Sequence, residues 1–410
     1  MKTLLKSVIV LDNRSSHHLK KRDVLLDKGK IVSIAASIRD DKAKVIDAKG
    51  LHISPGWIDL RANFRDPGFE FKEDLQSGIA AARRGGFATV VLMPSTLPVA
   101  DNKGSIEYTL ARTQNSNVNI LPAGCLSEKM EGKQLSEMYD MHKAGAVAFT
   151  DDKNSVSTEL MSRSLEYSKN FDGLIMSFPY ENGLSAHGQV NESPTSVALG
   201  MKGIPNVAEE IRLQRDIDLL RYSGGRLHVS LISSAKSVEL IRKAKKEGLM
   251  ISCAVAAHQL SFLDEDLMDF DTNLKVLPPF RSKDDRKALI AGIKDGTIDA
   301  ICSDHSPEDV EHKLREFEDA DFGISGIESA FCTAFTALEK QMSLEEILAK
   351  FTTGPAGVLR LAMGKVEDGN EGPFTIFSTE ENTNFTEASW LSKSANNPFA
   401  NKELRGRIYS

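Results

Sequence analysis

Apolar and polar positions follow two different rhythms along the chain. Up to about residue 54 the apolar residues come in short runs: Ser7–Leu11, Asp23–Leu26, Lys30–Ile34 and Lys44–Asp47. Runs of this length between polar turns predict strands. Asp27-Lys28-Gly29 predicts a tight hairpin turn, because glycine takes the positive φ such a turn needs. From Pro55 to about 360 the rhythm becomes strand, loop, helix. The predicted strands are Ala88–Met93, Val147–Thr150, Gly173–Phe178, Arg226–Ile232, Leu249–Ala254 and Ile298–Cys302. Between them, Asp74–Arg83 puts Leu75, Ile79 and Ala82 on one helical face ahead of Gly85-Gly86, and Ser237–Glu247 stops at Gly248. Ser343 and Glu346 have the spacing of a capping box.

Near-continuous apolar strands alternating with amphipathic helices predict a parallel sheet covered by helices. Several such units over roughly 300 residues favour a (β/α)8 TIM barrel over an open sheet. Beyond 361 the chain is Asn/Ser/Thr-rich, with Pro373–Phe377 as a strand that returns to the N-terminal strands. The expected layout is a β-sandwich from 1–54 plus 361–410, and an α/β barrel over 55–360.

Composition narrows the function. A hydrophobic fraction of 41%, a charged fraction of 27% and a net charge of −7 describe an ordinary globular protein without a basic nucleic-acid footprint. No apolar run approaches the ~18 residues of a membrane span. The opening Met1–Val10 is interrupted by Lys6 and predicts a strand, not a signal peptide. Cys125, Cys253, Cys302 and Cys332 form no C-x-x-C pair and predict buried thiols of a cytoplasmic protein. No glycine-rich phosphate loop follows any strand. His17-His18, with polar neighbours, predicts a turn and not a metal site.

In a barrel, function collects where the strands end. The polar residues at those exits are Arg61, Asn63 and Arg65, then Ser95, then Asp151-Asp152, and finally Asp304-His305. Asp151 and Asp304 at separate exits suit a shared hard cation such as Mg²⁺ or Ca²⁺. The favoured alternative pairs Asp151 and Asp304 with Arg61, Arg65 or lysines, since a guanidinium neutralises carboxylates where a ligand would stand.

Several stretches resemble bacterial dihydroorotase of the amidohydrolase superfamily. They include Ser54–Leu60, Phe64–Gly68, Lys72–Leu75, Gly85–Val90, Met93–Thr96, Phe149–Asp152, Pro278–Arg281, Ile298–Pro307 and Phe322–Glu328, in family order over almost the whole chain. The resemblance implies a (β/α)8 barrel with a β-sandwich built from both termini. It also implies zinc-assisted interconversion of carbamoyl aspartate and dihydroorotate, with a His-x-His, an Asp, two further His and a final proton-shuttling Asp as ligands.

Carried over by position, the His-x-His becomes Arg61 and Asn63. The first isolated His falls at Phe178 (Pro179 if the register slips by one), and the second at Leu231. Only Asp151 and the shuttle Asp304 remain. Of the substrate-binding positions Arg65 is kept, whereas Ser95, Leu277 and Glu308 stand where the family has Asn, Asn and His. His228, His258 and His305 are expected to pack or hydrogen-bond, not to ligate.

A bound metal lowers the pKa of water from about 15.7 towards 7, and zinc needs three or four well-placed donors. Asp304, left without such a water, is then vestigial, and no cofactor is expected. The expectation is a non-catalytic dihydroorotase-like protein of pyrimidine biosynthesis, acting as a structural or regulatory subunit. The resemblance implies aspartate transcarbamoylase or another enzyme of that pathway as partner, and a homo-oligomer is expected; no nucleic acid or membrane is. Two alternatives remain: an active cyclic-amide hydrolase with an altered zinc site, and a metabolite sensor working through Arg65. Family members continue past a segment like Asn397–Gly406 into a final strand, so the terminal sandwich is expected to be shortened or to leave an edge strand free.

Overall fold

The computed structural model describes residues 2–409. Eight parallel strands lie side by side in chain order: Trp57–Ala62, Phe87–Leu92, Asn119–Gly124, Ala148–Phe149, Leu174–Ser177, Arg226–Val229, Ile251–Ala256 and Ala300–Cys302. The first and last meet through a parallel bridge between Ala62 and His305, where the Asn63 N–H donates to the His305 carbonyl at 2.8 Å. Below that bridge the seam is held by Asp59, which accepts the Ser303 N–H at 3.0 Å and the Ser303 hydroxyl. Burial pushes the Asp59 carboxyl up to about 7 against these bonds.

The third strand, Asn119–Gly124, is absent from the sequence expectation. Pro122 in its middle argues against a central strand, yet the Pro122 carbonyl still accepts the Val147 N–H at 3.1 Å. Six of the others fall within the predicted runs or overlap them closely; the first, Trp57–Ala62, precedes those runs and ends at the exit that carries Arg61 and Asn63. Leu60, Val91, Met176, Ala254, Ala256 and Ala300 fill the interior, so the barrel is a packed core.

The helices start where their caps place them. Leu75–Arg84 is capped by Asp74, which accepts the Ser77 N–H at 2.8 Å, and ends on Arg83 and Arg84, favourable at a helix C-terminus. Of the predicted face, Leu75 and Ala82 are buried, while Ile79 is only half-buried. Gly78 replaces it at the tightest contact, because a Cβ there would lie 2.5 Å from the Phe64 ring. The helix predicted from Ser237 begins at Ala235, capped by Ser234. Ser343 and Glu346 make the predicted capping box around Leu344–Ala349.

Both chain ends contribute to one mixed seven-stranded sheet. Its order is Glu403–Tyr409, Phe374–Asn384, Leu51–Pro55, Lys2–Val10, Lys21–Asp27 and Lys30–Ala35, with Lys44–Asp47 also paired to Lys2–Val10. The predicted turn joins Lys21–Asp27 to Lys30–Ala35, with Lys28 and Gly29 both at positive φ. The first strand is Lys2–Val10, in line with the strand expected over Met1–Val10, and it takes in most of the Ser7–Leu11 run. A bulge between Leu5 and Val8 puts Ser7 at φ 61° and aims its N–H at Asp23, 2.9 Å away. Trp57 joins sheet to barrel, packed between Phe331 and Phe377 with its indole N–H donating to the Ser54 hydroxyl at 3.0 Å. The four cysteines are buried and free. Among the described residues no helix is long and apolar enough to cross a membrane.

Candidate functional site

Arg61 leaves the first barrel strand where the ladder is irregular, and its side chain turns into the mouth at 1% exposure. Its Nε donates to Asp304 Oδ1 at 2.8 Å, one Nη donates to the Asp152 carboxylate, and the other to the Met93 sulfur at 3.4 Å. The guanidinium carbon lies 5.6 Å from the centre of the Phe178 ring, within cation–π range. The fork of the arginine is therefore spent on two carboxylates, a thioether and an aromatic face. Burial alone would lower the Arg61 pKa, but Asp152 and Asp304 reverse this and hold it above its ordinary value.

One sequence expectation needs correction here. Asp304 pairs with Arg61 as foreseen, and Lys153 Nζ stands 3.6 Å from its second oxygen. Asp151 does not pair with Arg61, Arg65 or a lysine. It accepts the backbone N–H groups of Leu126 and Ser127, both at 2.9 Å, together with the Ser127 hydroxyl. Burial raises the Asp151 pKa against those bonds. The arginine takes the neighbouring Asp152 instead. Burial pushes the Asp152 carboxyl upward too, but Arg61 and Lys153 outweigh it and hold it below its ordinary value.

The backbone explains the exchange. Asp152 sits at φ 51°, a left-handed conformation unusual for a residue with a side chain, which sends adjacent aspartates to different partners. Asp304 at 45° and Arg65 at 59° share that conformation. Three such residues around one mouth mark a backbone held by its surroundings.

The remaining positions carried over from the resemblance fall into two groups. Phe178 and Leu231 are buried in the apolar cluster that fills the barrel, and Leu277 packs against it. The others form polar bonds among themselves. The Ser95 hydroxyl lies 2.9 Å from Asn63 Oδ1 and also bonds the Asp152 carboxylate. Arg65 is tied to Glu308, to the Ser306 hydroxyl at 3.2 Å and to the Pro307 carbonyl at 3.3 Å. Lys72 binds the same Glu308 carboxylate and stands 3.2 Å from Asp321. Glu308 thus neutralises the arginine that an anionic substrate would need. An opening of about 280 Å³ remains above these residues.

Sequence reasoning missed Asp152, Lys153 and Lys72 as members of the network. The doublet Asp151-Asp152 and the motif Lys72-Glu73-Asp74 were visible, but nothing in the sequence says which member of each turns inward. The nearby histidines behave as foreseen. His228 pairs with the Ser252 hydroxyl at 2.8 Å and is pushed by burial to about 3; His258 packs edge-on to Phe280 and is pushed by burial to about 4. His305 Nε2 lies 3.4 Å from Glu73, away from the mouth network.

The zinc that the resemblance implies does not fit these residues. Its place between the strand exits is filled by the Arg61 guanidinium, which together with Lys153 balances the charge of Asp152 and Asp304. Two of the four positions where imidazoles would stand belong to the hydrophobic core. Among the described residues no three His, Cys, Asp or Glu side chains converge as a ligand group.

The chain matches known proteins along its length. A family profile described as dihydro-orotase-like matches residues 50–237. A dihydroorotase from Carboxydothermus hydrogenoformans is 41% identical over 392 residues, covering 95% of this chain and 91% of the relative. One from Syntrophus aciditrophicus is 38% identical over 413 residues, covering 100% and 97%. Among solved structures, L-hydantoinase (dihydropyrimidinase) from Arthrobacter aurescens superposes with a TM-score of 0.84 at 22% identity, covering 99% of this chain and 93% of its own. Dihydropyrimidinase from Brevibacillus agri gives 0.82 at 19%, covering 100% and 93%. These two share the fold. Identity of about 40% maintained from end to end with dihydroorotases places this chain in the dihydroorotase family.

Proposed function

We propose that this protein is a non-catalytic member of its family, a structural or regulatory subunit in pyrimidine biosynthesis whose partner is aspartate transcarbamoylase or another enzyme of that pathway. One observation carries the loss of catalysis: the Arg61 guanidinium, bonded to Asp152 and Asp304, fills the place where a metal would have to sit. The preserved shell supports a surviving structural role, since the barrel seam, the helix caps and the terminal sheet are all intact around the filled mouth. The sensor alternative is weakened because Glu308 and Ser306 already occupy Arg65.

Two measurements test this. Metal analysis and a dihydroorotate assay on the pure protein should give substoichiometric zinc and no turnover. Stoichiometric zinc, with turnover abolished by Asp304→Asn, would establish the altered-site enzyme instead. Co-purification with the transcarbamoylase of the same cell should give a complex. If neither protein affects the other's assembly or activity, the partner assignment fails.

A further inference from the structure

Beside the barrel mouth, and separated from it by Met93, lies a second enclosure of about 470 Å³. It is bounded by the loops leaving the first two barrel strands and by the first turns of the helix Lys103–Thr113. Phe64, Leu92, Met93, Ala100, Pro122 and Ala123 form its apolar walls. Two charged residues line it: Arg65, whose guanidinium is held by Glu308 and Ser306, and Asp66. Asp66 is 7% exposed, and its Oδ1 accepts the Tyr108 hydroxyl at 3.1 Å. Its Oδ2 makes no hydrogen bond among the described residues, and Arg112, the cation paired with it, is 3.9 Å away. Arg112 in turn lies 5.7 Å over the Tyr108 ring, so the two side chains form a movable cover at the rim.

A carboxylate oxygen with no hydrogen-bond donor, and its nearest cation 3.9 Å away, keeps acceptor capacity that a ligand can use. The space is far larger than one water requires. It falls in the size range of small-molecule sites, which are mostly apolar with a few placed polar groups. An engineered cavity of about 150 Å³ takes one benzene ring, so this one matches about three fused rings.

We propose that this cavity is a binding site for a planar, amino-bearing heteroaromatic molecule, whose N–H donors engage Asp66 and whose rings lie between Phe64, Leu92 and Met93. Entry displaces the Tyr108 hydroxyl from Oδ1 and opens the whole carboxylate edge to a paired donor, which Asp66 accepts bidentately. The site adjoins the mouth at Met93, whose sulfur Arg61 bonds, and at Arg65, whose guanidinium is held by Glu308 and Ser306; Asp66 itself belongs to neither mouth network, so the binding test does not depend on the proposed loss of catalysis.

Aminoacridine tests the geometry, with acridine as the same ring system lacking the amino donor. Titration calorimetry on the full chain should show one aminoacridine per chain and binding of acridine at least about tenfold weaker. Asp66→Asn, which keeps the shape but removes the charge, should weaken aminoacridine by about tenfold. Ser105→Trp projects an indole into the cavity from the third residue of the helix and should abolish binding, with thermal melting to verify folding. Equal affinity for the two probes, no aminoacridine binding in the millimolar range, or binding that survives Asp66→Asn would each overturn the proposal. Should Ser105→Trp fail to fold, the probe pair on the wild-type protein and on Asp66→Asn decides the matter.

Discussion

Replacing Arg61 by methionine removes the buried cation that bonds two buried carboxylates. Asp304 keeps only Lys153 at 3.6 Å, and Asp152 keeps Ser95. Breaking a buried ion network by deleting one member costs about 3–5 kcal/mol, because charge is left in low dielectric without a partner. Over 410 residues an unfolding entropy of about 2.1 cal/mol/K per residue sums to ~0.9 kcal/mol/K, so a loss of about 4 kcal/mol lowers Tm by about 5 °C.

The pH dependence gives a sharper signature. In the wild-type protein Asp152 is held below its ordinary value. It therefore contributes stability above the unfolded value near 3.9, lost only as pH falls through the lower folded one. Without Arg61, burial acts on Asp152 with much less opposition, and the folded state prefers the protonated acid. The deficit of Arg61→Met should then be full near about pH 7.5 and shrink towards about pH 5. Adding Asp152→Asn and Asp304→Asn should restore at least half of the lost stability, since a neutral interior no longer needs the guanidinium. Thermal melts of the single and triple variants at both pH values provide the check. A loss below about 1 kcal/mol, as for a surface ion pair, or a deficit unchanged with pH, would refute the argument.

Three further outcomes follow from the same geometry. Arg61→His with Asn63→His should not recruit zinc, because Phe178 and Leu231 still fill the other two positions; adding Phe178→His and Leu231→His should raise the metal content, read by elemental analysis, towards one or more per chain. Glu328, which accepts the Leu391 and Ser392 N–H groups at 2.9 and 3.0 Å, is nevertheless pushed by burial to about 7. A raised carboxyl makes the folded state bind more protons, so stability should fall by up to ~3 kcal/mol between about pH 4.5 and 7, and Glu328→Gln should remove that decline in urea midpoints. His258, lowered by burial to about 4, works in the opposite sense: its contribution is present above about 6.5 and lost as pH falls towards the folded value, so His258→Gln should flatten acid unfolding in that window.

The alternation of apolar strands with capped helices was legible because each barrel strand is buried on both faces and each helix on one. Asn119–Gly124 escaped because a proline in a central strand contradicts the local rule that identifies strands, and only the neighbouring ladders compensate. The resemblance implied imidazoles at the positions of Arg61, Asn63, Phe178 and Leu231, where this chain carries none. How the residues present there pair with one another was not legible. Whether Asp151 or Asp152 turns inward depends on one left-handed φ, and the Glu308 bridge to Arg65 and Lys72 joins residues more than two hundred positions apart. Such pairings arise only when the barrel closes and brings the loops after its first and last strands together, and no periodicity records them.

A divalent ion, or a guanidinium with a lysine beside it, meets the same electrostatic demand in different shapes. Either can neutralise two carboxylates gathered at the strand exits, but a metal leaves an open coordination position for water, whereas an arginine side chain is bounded by its own carbon stem. Here the stem comes from the first strand itself, so the cation cannot dissociate and carries no exchangeable ligand. Once the charge is covalently supplied, imidazoles at positions 178 and 231 would be buried polar groups without a metal to bond. A phenyl ring under the guanidinium and a leucine in the core avoid that penalty. The four changes thus depend on one another, and reverting any single position should destabilise the fold before it restores any affinity for metal.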